Sequence, residues 1–134
     1  MPEINIWAVL AAAVASFILG GLWYSALFSA IWEREVWGDI APEQRPKPKP
    51  PAIVFGLSFV LAFIAAFVFA VFLGPQPSLG LGVGAGAAAG ICWISASFGI
   101  NYLFSARSLK LWLIDSGYHT LQFTLYGLIL GLWH

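Results

Sequence analysis

The sequence predicts an all-α membrane protein, a four-helix transmembrane bundle, and three observations predict it. Sixty per cent of the 134 residues are hydrophobic and nine per cent charged, against roughly a quarter charged in soluble domains. Four apolar runs are each about twenty residues or longer, enough to cross a hydrocarbon core of about 30 Å. All eight prolines lie outside those runs, as helices that must satisfy their own backbone in lipid require. One membrane domain, 1–134, fits this length. A formal net charge of zero leaves no basic surface for nucleic acid. The lone Cys92 excludes an intramolecular disulfide. A cleaved leader is not expected, because the first run is too long and no Lys or Arg precedes it.

The first span, 5–32, starts near Trp7 and ends at Trp32. Small residues at Ala12, Ser16 and Gly20, and again at Gly21, Ser25 and Ser29, recur every four positions. Each set therefore forms a stripe where a neighbouring helix can approach closely. The loop 33–51 is the one long connection. Trp32, Val36, Trp37 and Ile40 among charged residues suit a short amphipathic turn along the headgroups. The segment from Arg45 to Pro51 alternates proline with Arg and Lys, so it should be extended. A stiff solvated spacer is the plain reading of it, and a ligand for a proline-reading partner the sharper one.

The second span, 52–73, sets Phe55, Phe59, Phe63 and Phe67 on one stripe and Ser58, Ala62, Ala66 and Ala70 on another. That predicts a lipid-facing aromatic ridge opposite a close-packed seam. The turn 74–78, rich in Gly and Pro, makes spans two and three antiparallel neighbours. The third span, 79–104, carries Gly82, Gly86 and Gly90, the strongest helix-packing signal in the chain. After a second short turn, 105–108, the fourth span runs over 109–133.

This order puts the long loop and the 105–108 turn on one side, and both termini and the 74–78 turn on the other. Every Lys and Arg (Arg34, Arg45, Lys47, Lys49, Arg107 and Lys110) falls on the first side. The positive-inside rule then makes the loop cytoplasmic and both termini external. Trp112 and Trp133, about 31 Å apart along a helix, mark the two interfaces of the same frame.

Asp115 is the one acid in any of the four runs, and an ionisable group there costs at least about 2–3 kcal/mol. His119, Gln122 and Tyr126 share its helix face at offsets of four, seven and eleven. By helical rise, Asn101 of span three and Trp23 and Tyr24 of span one lie at the depth of Asp115, near the cytoplasmic leaflet. These residues, with Tyr118, are expected to form one buried polar cluster. His119 can reach Asp115 directly, as a proton relay or as a fastener between helices. The plainer reading of Asp115 is a shallow acid that snorkels or pairs with Lys110 or Arg107. Ser116 completes the lettering of a nucleophile, base and orienter, but it points about 100° from Asp115 on the same helix, a poor geometry. No metal-ligand or phosphate-cradling spacing occurs, so no enzyme, cofactor or metal is expected.

The run Phe17-Ile18-Leu19-Gly20-Gly21-Leu22-Trp23-Tyr24-Ser25, with Phe28 and Trp32, resembles the small bacterial membrane proteins grouped as domain of unknown function 1761. Further matching stretches are Trp93 to Phe98, Asn101 to Phe104, Leu113 to His119, and Gly127 to Trp133. The resemblance covers nearly the whole chain outside the proline-rich loop. It implies a four-helix integral protein of a bacterial inner membrane, and no activity. It singles out Trp23, Tyr24, Asn101, Asp115, Tyr118 and His119, the residues that depth also groups. The functional expectation is a non-catalytic multi-pass protein that works as a homo-oligomer or as an accessory subunit of a larger membrane complex. The alternative is a small transporter or channel with an ion or proton path along Asp115, His119, Gln122 and Tyr126.

Overall fold

The computed structural model describes residues 3–134, and among them all regular structure is helical. The first helix, α1 (Ile6–Gly21), starts where the Asn5 side chain accepts from the backbone N–H groups of Trp7 and Ala8 at 3.1 and 3.2 Å, satisfying two donors the helix leaves free. It runs on through a π-helical turn, Leu22–Leu27, as one rod Ile6–Leu27. The chain breaks at Phe28, outside helical geometry at φ −126° and ψ 13°, and resumes as α2 (Ser29–Trp37). The first apolar rod thus ends five residues short of the expected Trp32, at the Phe28 break. The following loop is tied back to α2. Arg45 pairs with Glu33 at 2.8 Å and lies 5.6 Å from the Trp37 ring centroid.

The second rod is α3 (Pro51–Leu73). The third is α4 (Leu79–Ala88), a second π turn over Ala89–Ile94, and α5 (Ser95–Phe104). The last is α6 (Leu109–Leu132). Ser78 and Ser108 cap α4 and α6 by accepting from the N–H groups of Leu81 and Leu111. Arg107 donates to the Val36 carbonyl, which places the 105–108 turn and the α2 end together. At the opposite end a cavity of about 570 Å³ is lined jointly by Asn5, Gly74, Pro75 and His134.

Three rods, Ile6–Leu27, Pro51–Leu73 and Leu79–Phe104, are long and apolar enough to cross a membrane. At most 28% of their apolar windows is buried inside the protein, so most of that apolar surface faces outward. Such a surface belongs to a membrane protein. The fourth rod, α6, has the length but not the apolarity, because it carries the polar residues. Every other α-helix packs on it. Hydrophobic side chains of α1, α3 and α6 form the core, with Val9, Phe69 and Tyr126 among the buried.

The contact between α4 and α6 is made by backbone. A Cβ added at Gly82, Gly86 or Gly90 would lie 2.3 Å from the Gly127 carbonyl oxygen, 2.1 Å from that of Phe123, and 2.5 Å from the Thr120 Cα. Real Cβ atoms do not come so close, so only glycine lets these helices touch. Gly20 receives the Tyr118 ring, with a Cβ there 3.1 Å from its hydroxyl. Gly21 does not pack. A Cβ on it meets nothing within 4 Å, and Ser25 and Ser29 are also exposed. The aromatic ridge of α3 departs from expectation in part, since Phe55 is exposed but the others are partly buried. Phe17 of α1 packs edge-on against Phe55 and Phe59, and Phe63 and Phe67 pack on the core. Aliphatic side chains of α3 are exposed as well, Leu57, Ile64 and Val68 among them.

Candidate functional site

Asp115 is buried near the start of α6 and held by two phenols from two other rods. Tyr24 Oη donates to its Oδ1 at 2.6 Å, and Tyr102 Oη donates to its Oδ2. Both oxygens are occupied by hydroxyl donors, the compensation a buried carboxyl group needs. Among the described residues Asp115 makes no ion pair; Lys110 and Arg107 are exposed. Trp23 comes to the same level without touching the carboxyl group. Its Nε1 donates to the Ile114 carbonyl at 2.9 Å, and its ring fills the notch at Gly117, where a Cβ would lie 3.0 Å away. The first π turn places the Trp23 and Tyr24 side chains against α6.

Asn101 does not join the site. Its side chain is exposed and makes no hydrogen bond among the described residues, whereas the next residue, Tyr102, reaches Asp115. The depth of Asn101 follows from residue number, but its direction does not. The π turn at Ala89–Ile94 inserts an extra residue into the rod, and one residue is worth about 100° of rotation. The Gly90 carbonyl there accepts both the backbone N–H of Ser95 and, at 2.6 Å, its Oγ, and the Ser95 carbonyl accepts from Trp112 Nε1 at 2.8 Å. Ser95 is buried, and Phe98 and Tyr102 follow at offsets of three and seven. That spacing is the signal that marks the face of α5 turned to α6.

His119 belongs to a separate polar chain deeper along α6. Its Nδ1 lies 2.6 Å from Gln122 Oε1, and it makes no hydrogen bond to Asp115. Gln122 Nε2 donates to Tyr126 Oη at 2.7 Å, and Tyr126 Oη donates to the Ala62 carbonyl at 3.0 Å. The order of donors fixes the proton on the ring. A carbonyl only accepts, so the Tyr126 hydrogen is spent on Ala62. Its oxygen then takes the Gln122 amide N–H, which leaves Oε1 to face His119. Nδ1 must carry the hydrogen, and the neutral imidazole has its lone pair on Nε2. Among the described residues Nε2 has no partner.

Two further groups complete the region. Ser16 Oγ donates to the Ala13 carbonyl and lies 3.3 Å from Tyr126 Oη, and Tyr118 Oη donates to the Ser16 carbonyl at 3.0 Å. Among the described residues Ser116 Oγ is buried without a hydrogen-bond partner, so it is hydrogen-bonded to neither Asp115 nor His119. Among the described residues no three His, Cys, Asp or Glu side chains gather as a metal site would need. Tyr126 is fully buried, and Tyr126→Phe strips Gln122 Nε2 and Ser16 of their common neighbour. It should cost about 1–3 kcal/mol, read as a lower unfolding midpoint in mixed detergent.

Beside this chain lies a groove of about 740 Å³ between α1, α3 and α6. His119, Gln122 and Tyr118 line it together with Phe17, Phe55 and Leu61. Its volume falls in the usual range for small-molecule sites, about 300–1,000 Å³.

A family model described as protein of unknown function (DUF1761) matches residues 7–131. The chain belongs to that family. The match takes in α1 from Trp7 on, all of α2, α3, α4 and α5, and α6 up to Gly131. The DUF1761 assignment therefore covers both tyrosines on Asp115 and the whole His119–Gln122–Tyr126 chain. No curated protein and no solved structure matches the sequence.

Proposed function

We propose that this DUF1761 protein crosses a bacterial inner membrane four times, with both termini outside. In this reading it is a non-catalytic protein that assembles with copies of itself or with other membrane subunits. For the fourth crossing, α6 runs the full length of the bundle with its polar residues turned to its neighbours rather than to lipid. The end holding the loop and the 105–108 turn carries every Lys and Arg, which favours a cytoplasmic position for it.

The observation that carries the assembly reading is the unused side of α4. Gly82, Gly86 and Gly90 are spent on α6, while a Cβ at Gly80 or Gly84 meets nothing within 4 Å and Ala88 is exposed. This second small-residue face offers a partner helix a close approach. A cysteine at position 47 should label only from the cytoplasmic side and one at position 76 only from outside, in a Cys92→Ser background. Gly84→Leu should shift a defined oligomer toward monomer without unfolding it. A parent that is monomeric in several mild detergents and in nanodiscs, with no co-purifying subunit, removes the assembly reading.

The transport alternative has weaker support. Asp115 and His119 share no hydrogen bond, and the His119–Gln122–Tyr126 chain ends on a helical carbonyl. The catalytic alternative lacks an activated nucleophile, since Ser116 makes no hydrogen bond.

A further inference from the structure

We infer that the groove between α1, α3 and α6 binds an uncharged, hydroxyl-bearing lipid, with the hydroxyl donating to His119 Nε2 and the apolar body lying along α1 and α3. Three observations carry this inference. The groove holds about 740 Å³, room for a long apolar chain or ring. Among the described residues no Asp, Glu, Lys or Arg lines it, so a phosphate, carboxylate or ammonium head would enter without a counter-charge, at high cost. Most of its polar hydrogens are already spent. Tyr118 donates to Ser16, Tyr24 to Asp115, and Ser25 to Gly21. Fixed by Gln122, the His119 ring offers an unpartnered acceptor. A ligand donor completes that acceptor, whereas a ligand with acceptors alone leaves it orphaned. The mouth is open on the α3 side, where the lining residues Val54, Phe55, Ser58 and Leu61 are exposed, so a molecule dissolved in the bilayer reaches the groove sideways.

A lipid hydroxyl comes from two chemical sources, an aliphatic prenol or a hydroquinone, and both place an O–H on an apolar body. The test uses the full chain in phosphatidylcholine nanodiscs, with geranylgeraniol and its methyl ether, and decylhydroquinone and its dimethyl ether, as probes, measured by native mass spectrometry. At least one alcohol or phenol should bind saturably at one site and about fivefold to tenfold tighter than its ether, the worth of one hydrogen bond. Which parent wins names the source. His119→Phe retains a ring in the groove without the acceptor and should erase the difference between hydroxyl and ether. Ser58→Phe narrows the mouth from an exposed position and should weaken hydroxyl and ether alike. Equal binding of hydroxyl and ether to the unaltered protein overturns the inference, with no variant needed. So does binding of neither, or a dimer whose formation alone fills the groove.

Discussion

Gly127→Val should destabilise the protein by about 3 kcal/mol or more, at the upper end of what overpacking costs. The reason is the absence of anything soft to move. A Cβ on Gly127 would stand 1.8 Å from the Gly82 carbonyl oxygen and 2.4 Å from its carbon, both backbone atoms in the middle of α4. The helices must part by more than an ångström, and the contacts of Gly86 with Phe123 and of Gly90 with Thr120 open with them. Gly86→Leu should do comparable damage from the other side. Gly84→Ala, on the face of α4 where a Cβ meets nothing, should leave stability unchanged or higher by up to about 1 kcal/mol. Unfolding in mixed detergent micelles separates the two outcomes. If Gly127→Val is as stable as Gly84→Ala, the α4–α6 contact is wrongly placed.

Asp115→Ala should cost about 3 kcal/mol, the other large effect expected. Substitution removes both acceptors at once and leaves the Tyr24 and Tyr102 hydroxyls facing each other with no partner, each at roughly 1–3 kcal/mol. Asp115→Asn should be milder. It keeps one acceptor oxygen, but its amide must turn a donor toward the other phenol. Because the tyrosines come from the first and third rods and Asp115 from the fourth, the loss should loosen three helices together. Hydrogen exchange at α5 and at the Leu22–Leu27 turn should rise in the variant.

How much of this was legible depends on whether a feature varies with depth or with direction. Depth is linear in residue number at about 1.5 Å per residue, so Asp115, Trp23 and Tyr24 could be assigned to one level from spacing alone. The Gly82–Gly86–Gly90 stripe is open to the same reading, since glycine every fourth residue in an apolar run marks close approach of a neighbour, although such glycines could equally loosen the helix. Direction was not open wherever a π turn intervened. The extra residue in Ala89–Ile94 separates Asn101 from the site and brings in Tyr102. The break at Phe28 shortens the first rod in the same way.

His119 pairs with Gln122 rather than the expected Asp115 for another reason. Asp115 four residues back and Gln122 three residues on are both within reach on a helix. The choice is made by Tyr24 and Tyr102, which fill both Asp115 oxygens from elsewhere in the chain. Local spacing holds no information about such competitors. The same limit hides the groove, which depends on how α1, α3 and α6 are placed against one another. Gly127 as the counterpart of Gly82 also needed the pairing register between two helices.

The central claim is that the carboxyl group of Asp115 is held inside the bundle by phenols brought from two other rods. A double-mutant cycle between Tyr24→Phe and Asp115→Ala, read as unfolding free energy in detergent, tests it most directly. Tyr24→Phe alone should cost about 1.5–3 kcal/mol, as for a hydrogen bond to an acid, and almost nothing once Asp115 is already alanine, a coupling of at least about 1 kcal/mol. Equal costs in the two backgrounds would mean that Tyr24 and Asp115 do not meet.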